Sequence, residues 1–402
     1  MLKNLTYKSP IDRTKIINDD YIINIFKKCN KYKNNIFDSD NRYTFDYVYA
    51  IGDIHGDMDV LMKILINIDC IIYSNNNISW NPKSKNICLV QVGDIIDGYR
   101  PGIDYNSDYK FNNYISKDLS IIELLLKLNN EASYYNSRII LLFGNHEITH
   151  LFNVMNDYKL FYNNNPEDKS LINTIQNEIK QRYVYSIKDL DLKNAKLFNK
   201  RLKNIKNQLL CDYHSIVIVN NYLFCHSGFV LKIIYKLFEQ FNIPKDEFIK
   251  LDPTDKIFII NICTTAALFY IINNRLDKQY IKTLKKCVIN IFHHRIYQNI
   301  IKPQEELTQN DINIINNYMN ENKQLFNIKG MIIGHNVIRN YKINKIDDLY
   351  GIDIGLSAGF NINHSSIQYI KIINTNSQKI KELHKDDIDN NGQELQIIDI
   401  KV

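Results

Sequence analysis

The stretch Tyr47-Val48-Tyr49-Ala50-Ile51-Gly52-Asp53-Ile54-His55-Gly56 decides the fold. Its first five residues are the β-branched, aromatic and small apolar types of a short buried strand, and glycine with aspartate ends the run. Apolar residues then recur at helical spacing over 58–68, so the unit reads strand, turn, helix. The same turn follows 86–92, which leads into Gly93-Asp94 with a helix predicted over 119–128, and it follows 138–143, which leads into Gly144-Asn145. Farther on, 215–219 and 222–225 lead to His226-Ser227-Gly228, 330–333 leads to Gly334-His335, and 350–354 precedes Gly355. Two sets of strands interleaved with helices predict an α/β (α+β) fold, a central β-sandwich of two mixed sheets flanked by helices.

The flanks of this pattern set the expected domain limits. Residues 43–373 form one domain, 1–42 a peripheral N-terminal extension and 374–402 a polar tail carrying Lys and Asp. Residues 157–208 are polar and mainly helical in pattern; they read either as a cap inserted over a cleft or as a solvated helical pair.

Composition excludes little. The 402 residues carry 50 Lys and Arg against 44 Asp and Glu, and a net +6 over so large a surface gives no argument for nucleic acid or an anionic membrane as partner. The seven Cys stand at 29, 70, 88, 211, 225, 263 and 287, an odd set without CxxC spacing and mostly within apolar stretches. Buried free thiols and a reducing compartment are expected. Lys3, Lys8, Asp12, Arg13 and Lys15 interrupt the apolar core that a signal peptide needs, so an intracellular, cytoplasmic location is expected. The most apolar run, 257–272, is broken by Asn261, Thr264 and Thr265 and is shorter than the roughly 20 residues that span a bilayer. A buried helix is expected there, with no membrane insertion. Heavy use of Ile, Asn, Lys and Tyr is that of an AT-rich genome, such as a large DNA virus or a protist.

Polar blocks stand where the apolar runs end: Gly52-Asp53-Ile54-His55-Gly56, Gly93-Asp94-Ile95-Ile96-Asp97-Gly98, Gly144-Asn145-His146-Glu147, His226-Ser227-Gly228, Gly334-His335-Asn336 and Asp353-Ile354-Gly355. Strand ends are where α/β sheets place ligands. Carboxylate with imidazole suits borderline divalent cations such as Mn, Fe or Zn, and the alternation in Asp53-Ile54-His55 sends two such groups to one side.

In their order, these blocks resemble the phosphoprotein phosphatase branch of the calcineurin-like metallophosphoesterases, whose hallmarks are GDxHG, GDxxDRG, GNHE, HGG or HAG, and GH. The resemblance runs from residue 52 to 335. It implies that Asp53 and His55 bind a first metal, that Asp94 bridges two, and that Asn145, His226 and His335 complete the shell of the second. It further implies hydrolysis of phosphate monoesters by a water bridging the two metals, with His146 as general acid oriented by Asp97. The substrate class implied is a phosphorylated protein or peptide, on Ser/Thr or Tyr; the oligomeric state stays open.

Two departures bear on substrate binding. Where the family carries arginines in its second and third blocks, this chain has Gly98 and Phe143. An Arg–phosphate fork supplies both charge and orientation, so a substitute is needed. Arg100, two residues beyond the family's position, is one candidate. Arg295, in Phe292-His293-His294-Arg295-Ile296-Tyr297, resembles the arginine of the WxR segment in Shewanella-like phosphatases, with His293 in the place of Trp; the same residues also read as an amphipathic helix turn. Ile352-Asp353-Ile354-Gly355-Leu356-Ser357 is similar to a DxGxS stretch of that subgroup.

Rival readings compete. His146-Glu147-Ile148-Thr149-His150 spells the HExxH of zinc proteases, but Gly144-Asn145 leaves little helix ahead of His146 and no HxxGxxH continuation follows. Arg100-Pro101-Gly102 is similar to the RGP segment of dinucleoside polyphosphate hydrolases. A scaffold that has kept the fold without turnover is the reading from another class. Neither GxxxxGK[ST] nor GxGxxG occurs.

Overall fold

Hydrogen bonding along the first apolar run places it at the middle of a sheet. The computed structural model describes residues 24, 29, 42–74, 77–98, 117–153, 208–273, 276–357, 366–375 and 394–401. In chain order the elements are β1 (Arg42–Tyr43), β2 (Tyr47–Ile51), α1 (Met58–Asn67), β3 (Ile71–Ser74), β4 (Asn77–Trp80), β5 (Ile87–Gln91), α2 (Asp118–Ala132), β6 (Arg138–Leu142), α3 (Asn145–Asn153), β7 (Tyr213–His214), β8 (Ile216–Val219) and β9 (Tyr222–Cys225). Four helices follow, α4 (Leu231–Gln240), α5 (Lys245–Lys250), α6 (Pro253–Asn273) and α7 (Lys278–His293). Then come α8 (Gln309–Phe326), β10 (Gly330–Ile333), β11 (Asn344–Ile346), β12 (Leu349–Gly351), β13 (Ser366–Ile373) and β14 (Glu394–Lys401).

The strands form two six-stranded mixed sheets, ordered β14-β13-β2-β5-β6-β7 and β1-β8-β9-β10-β12-β11, with β3 and β4 as a separate hairpin. In the first sheet β2, β5 and β6 run parallel, and in the second β9, β10 and β12 do. All the residues of β5, β8, β9 and β10 are buried, as expected of strands covered on both faces. The chain passes from one sheet to the other at Ser215, between β7 and β8. There Asn261 of α6 accepts the backbone N–H of Ser215 (2.8 Å) and Ile216 (3.1 Å) and donates to Ile216 O (2.9 Å). The polar residue in the apolar run thus satisfies a buried crossing that has no ladder of its own. At 21 residues α6 is longer than the sequence suggested and is long and apolar enough to cross a membrane, yet its membrane-length window is wholly buried within the fold.

Other expectations need correction. Residues 394–401, assigned to a polar tail, form β14 and pair antiparallel with the whole of β13, from Ser366↔Lys401 to Ile373↔Glu394. Its Leu395, Ile398 and Ile400 pack against the core, so its charged residues mask an edge strand. Cys29 and Cys211 are not free thiols but a disulfide across 182 residues of sequence, while Cys70, Cys88, Cys225, Cys263 and Cys287 are free and buried. Pairing over that separation leaves no trace in spacing. All but residue 208 of the 157–208 insertion, and most of the N-terminal extension, lie outside the described residues.

Candidate metal centre

Because β2, β5 and β6 are parallel, their C-terminal ends face one edge, and the turns after them meet the turns after β9, β10 and β12. Ile54 and His55 N–H donate to Asp94 O (3.1 and 3.0 Å), and Gly334 N–H donates to His226 O (2.9 Å), tying the turns within each sheet. Glycine is required where turns press closest: a Cβ on Gly144 would overlap the Asp94 carboxylate, and one on Gly334 would overlap that of Asp53. Four side-chain-bearing residues of these turns, His55 (φ 45°), Asp94 (53°), Asp97 (73°) and His335 (67°), adopt the left-handed conformation. Such backbone costs about 1–3 kcal/mol per residue and clusters at functional sites.

Asp94 stands at the centre. Its Oδ2 lies 3.9 Å from His55 Nε2 and 3.6 Å from His146 Nε2, while Oδ1 lies 3.4 Å from His226 Nε2. Ligand atoms of His55, Asp94 and His146 all lie within 4.8 Å of one another, and so do those of Asp94, His226 and His335. Asn145 Oδ1 joins the second group, 2.8 Å from His226 Nε2 and 2.7 Å from His335 Nδ1. Asp53 Oδ2 accepts the backbone N–H of His335 (3.0 Å), and its buried Oδ1 has no hydrogen-bond partner.

These groups fit divalent cations. Val92 O and Ile96 O can only accept, so the facing Nδ1 of His226 (2.9 Å) and of His55 (3.0 Å) carry the protons. Each imidazole therefore turns Nε2 inward, toward the acceptor oxygens of Asp94 and, for His226, of Asn145. Unless Nε2 also carries a proton, its lone pair faces theirs and a cation between them removes the repulsion; a carbonyl behind a metal-ligating imidazole is the usual support. The unpartnered Asp53 Oδ1 asks for the same. Carboxylate, amide and imidazole are donors suited to Mn, Fe or Zn.

Electrostatics agree. Burial pushes the Asp53 carboxyl well above its ordinary range, reinforced by Asp353 and Asp94 and opposed by the His335 N–H. Burial would raise Asp94 too, but His146, His226 and His55 outweigh it and hold that carboxyl well below. Glu147 is raised by burial and then by Asp94. So many buried carboxylates in one place are stable only when protonated or with positive charge among them.

His146 and Asp97 form a second unit, with Nδ1 2.6 Å from Asp97 Oδ2. Asp97 accepts, so it fixes the tautomer and leaves Nε2 facing the centre. Glu147 is the role that the sequence concealed. Its carboxylate accepts the N–H groups of Asp94 (2.9 Å), Ile95 (2.8 Å), Ile96 (3.3 Å) and Gly144 (2.8 Å), holding the Asp94 turn against the start of α3. It is thereby committed, which removes the base that the HExxH reading needs.

Arg295 sits at the rim, its Nη1 donating to His335 O and Asn336 Oδ1, both at 2.9 Å. Arg100 lies outside the described residues. Phe143 is buried against Tyr213 and Phe292, with ring centroids 5.1 and 6.2 Å away. Asp353 acts on Asp53, and Ser357 Oγ donates to His55 O (3.1 Å), so the segment after β12 lines the same centre.

Comparison with known proteins matches this picture. The family described as "Calcineurin-like phosphoesterase" matches residues 47–335, more than half of the chain. "Shewanella-like protein phosphatase 1" of Plasmodium berghei is 37% identical over 123 residues, 29% of this chain and 28% of that protein. The alignment thus spans under a third of the length of that relative. Among solved structures, a cold-active protein-tyrosine phosphatase of a psychrophilic Shewanella is 17% identical, with a TM-score of 0.48 over 82% of this chain and 76% of that one. A protein serine/threonine phosphatase from Saccharomyces cerevisiae is 12% identical, with a TM-score of 0.43 over 95% and 90%. With its motifs at the strand ends and a family match over residues 47–335, the chain belongs to the calcineurin-like phosphoesterases.

Proposed function

We propose that this chain hydrolyses phosphate monoesters, with phosphorylated proteins or peptides as the substrate class. The observation that carries the reading is that two ligand groups share Asp94 while His146, at the edge of the first, is held through its other nitrogen by Asp97. Asp53, His55 and Asp94 would hold one divalent cation, and Asp94, Asn145, His226 and His335 the other. When bound, the two cations supply Lewis acidity and the charge that a phosphoryl group needs in its transition state.

The chain's own residues do the rest. Asp97 keeps the His146 Nδ1 proton in place, so that Nε2 can carry a second proton and hand it to the departing ester oxygen. Glu147 holds the Asp94 turn so that neither group shifts. Arg295 would meet the incoming phosphate at the rim, and Arg100 remains a second phosphate ligand of the proposal. A protein substrate is supported by the name of the Plasmodium relative, and the choice between Ser/Thr and Tyr is left to assay.

The test is phosphate release, with Mn²⁺, from p-nitrophenyl phosphate and from phosphoserine and phosphotyrosine peptides, beside diadenosine tetraphosphate and an Asp94→Asn variant. Metal-dependent release from monoesters, at least about 100-fold lower in the variant, is expected. Cleavage of the dinucleotide alone would move the chain to the polyphosphate hydrolases. No release from any substrate by the metal-loaded protein would leave the scaffold reading.

A further inference from the structure

The end of α7 is fastened to the turn after β9 on both sides of one residue. Ser227 Oγ donates to Ile291 O (2.7 Å), His294 Nε2 to Gly228 O (3.1 Å) and Tyr297 Oη to Phe229 O (2.7 Å). Phe292 packs edge-on against Phe143, 6.2 Å between centroids. His293, in the middle of these anchors, makes no hydrogen bond among the described residues. Its ring stands edge-on to His335 at 6.2 Å and lies within electrostatic reach of His146, Asp94, His226 and Arg295. A polar side chain on so rigid a turn, turned toward the centre and without a partner of its own, is arranged for a ligand. Arg295 offers the complementary group: Nη1 is committed to His335 and Asn336, while Nε and Nη2 make no hydrogen bond among the described residues.

Resting on the phosphoesterase reading above, we infer that His293 donates a hydrogen bond to a phosphoryl oxygen of the substrate, beside Arg295, and so supplies oxyanion contacts absent at Gly98 and Phe143. Phe143 has become core, and its ring supports the residue preceding His293, so the loss at one position and the gain at the other belong to one packed unit. His293 is not among the ligand atoms grouped around Asp94, which separates this role from that of a metal ligand.

The experiment measures binding of inorganic phosphate to the Mn²⁺-loaded full chain by calorimetry, with manganese content determined for each protein. Turnover of p-nitrophenyl phosphate by the wild type is followed in parallel. His293→Phe keeps a ring against His335 and removes the donor; His293→Gln keeps a donor. The phosphate dissociation constant is expected to rise about tenfold or more in the Phe variant, as for loss of a hydrogen bond to a charged group, and to stay within about threefold in the Gln variant. Unchanged phosphate binding in the Phe variant, equal losses in both, or loss of manganese would each overturn the inference. Phosphate bound through His293 without turnover would overturn the phosphoesterase reading and leave this one standing; turnover with a silent Phe variant would do the reverse.

Discussion

A single imidazole carries the sharpest consequence. His146 has one nitrogen on Asp97 at 2.6 Å and the other toward Asp94 at 3.6 Å, and in the proposed function it delivers a proton. Replacing it in a His146→Gln variant is expected to lower kcat on a phosphoserine peptide by about 10²–10⁴-fold with metal content unchanged. On p-nitrophenyl phosphate, whose leaving group needs no proton, the loss should be much smaller. Equal losses on both substrates would exclude proton donation. His146 could be singled out in the sequence because its neighbours at 144, 145 and 147 are distinctive. The work of Glu147 could not, because most of its partners are backbone N–H groups some 50 residues away, which no pattern of side chains reports.

At the scale of elements, the sequence revealed strands by their composition and the active edge by what ended them. It understated α6 and misread β14, and both errors have the same cause. A polar residue in an apolar run, or charged residues around apolar ones, lowers the signal without saying whether tertiary partners compensate. In α6 the compensation is Asn261, which serves three backbone groups at the crossing between the sheets. An Asn261→Leu variant leaves the N–H groups of Ser215 and Ile216 buried and unpaired, each at about 1–3 kcal/mol. Chemical denaturation should show a loss of about 2–5 kcal/mol, whereas Asn273→Leu at the end of the same helix should cost far less. Similar losses at the two positions would mean that the crossing is satisfied some other way.

For the molecule as a whole, two sheets converge their turns on a centre where Asp53, Asp94, Asp353 and Glu147 are all buried. The order of the motifs made that convergence legible, since each follows a strand; the disulfide and the anchors around His293 depend on contacts between distant segments and were not. A fold that gathers so much negative charge should depend on cations for part of its stability. At a metal concentration about 100 times the dissociation constant, binding contributes about 2.7 kcal/mol, a shift of several degrees in Tm for a chain of this length. Removing the metal with a chelator is therefore expected to lower Tm, and adding Mn²⁺ back to restore it. The gap should also depend on pH, with a definite sign. Asp53 and Glu147 have folded-state pKa values raised above their ordinary ones, so without metal their protonated forms stabilise the folded chain at low pH, and that contribution is lost as pH rises through the folded values. Asp94, held well below its ordinary value, is ionised in both folded and unfolded chains above about pH 5 and adds no slope there. Cations displace protons from the same groups, so their affinity rises with pH over the same interval. Thermal unfolding of the loaded and chelated forms should thus diverge as pH rises above the ordinary carboxylate range; a gap that is constant or narrows with pH would show that the buried carboxylates are neutralised within the chain itself.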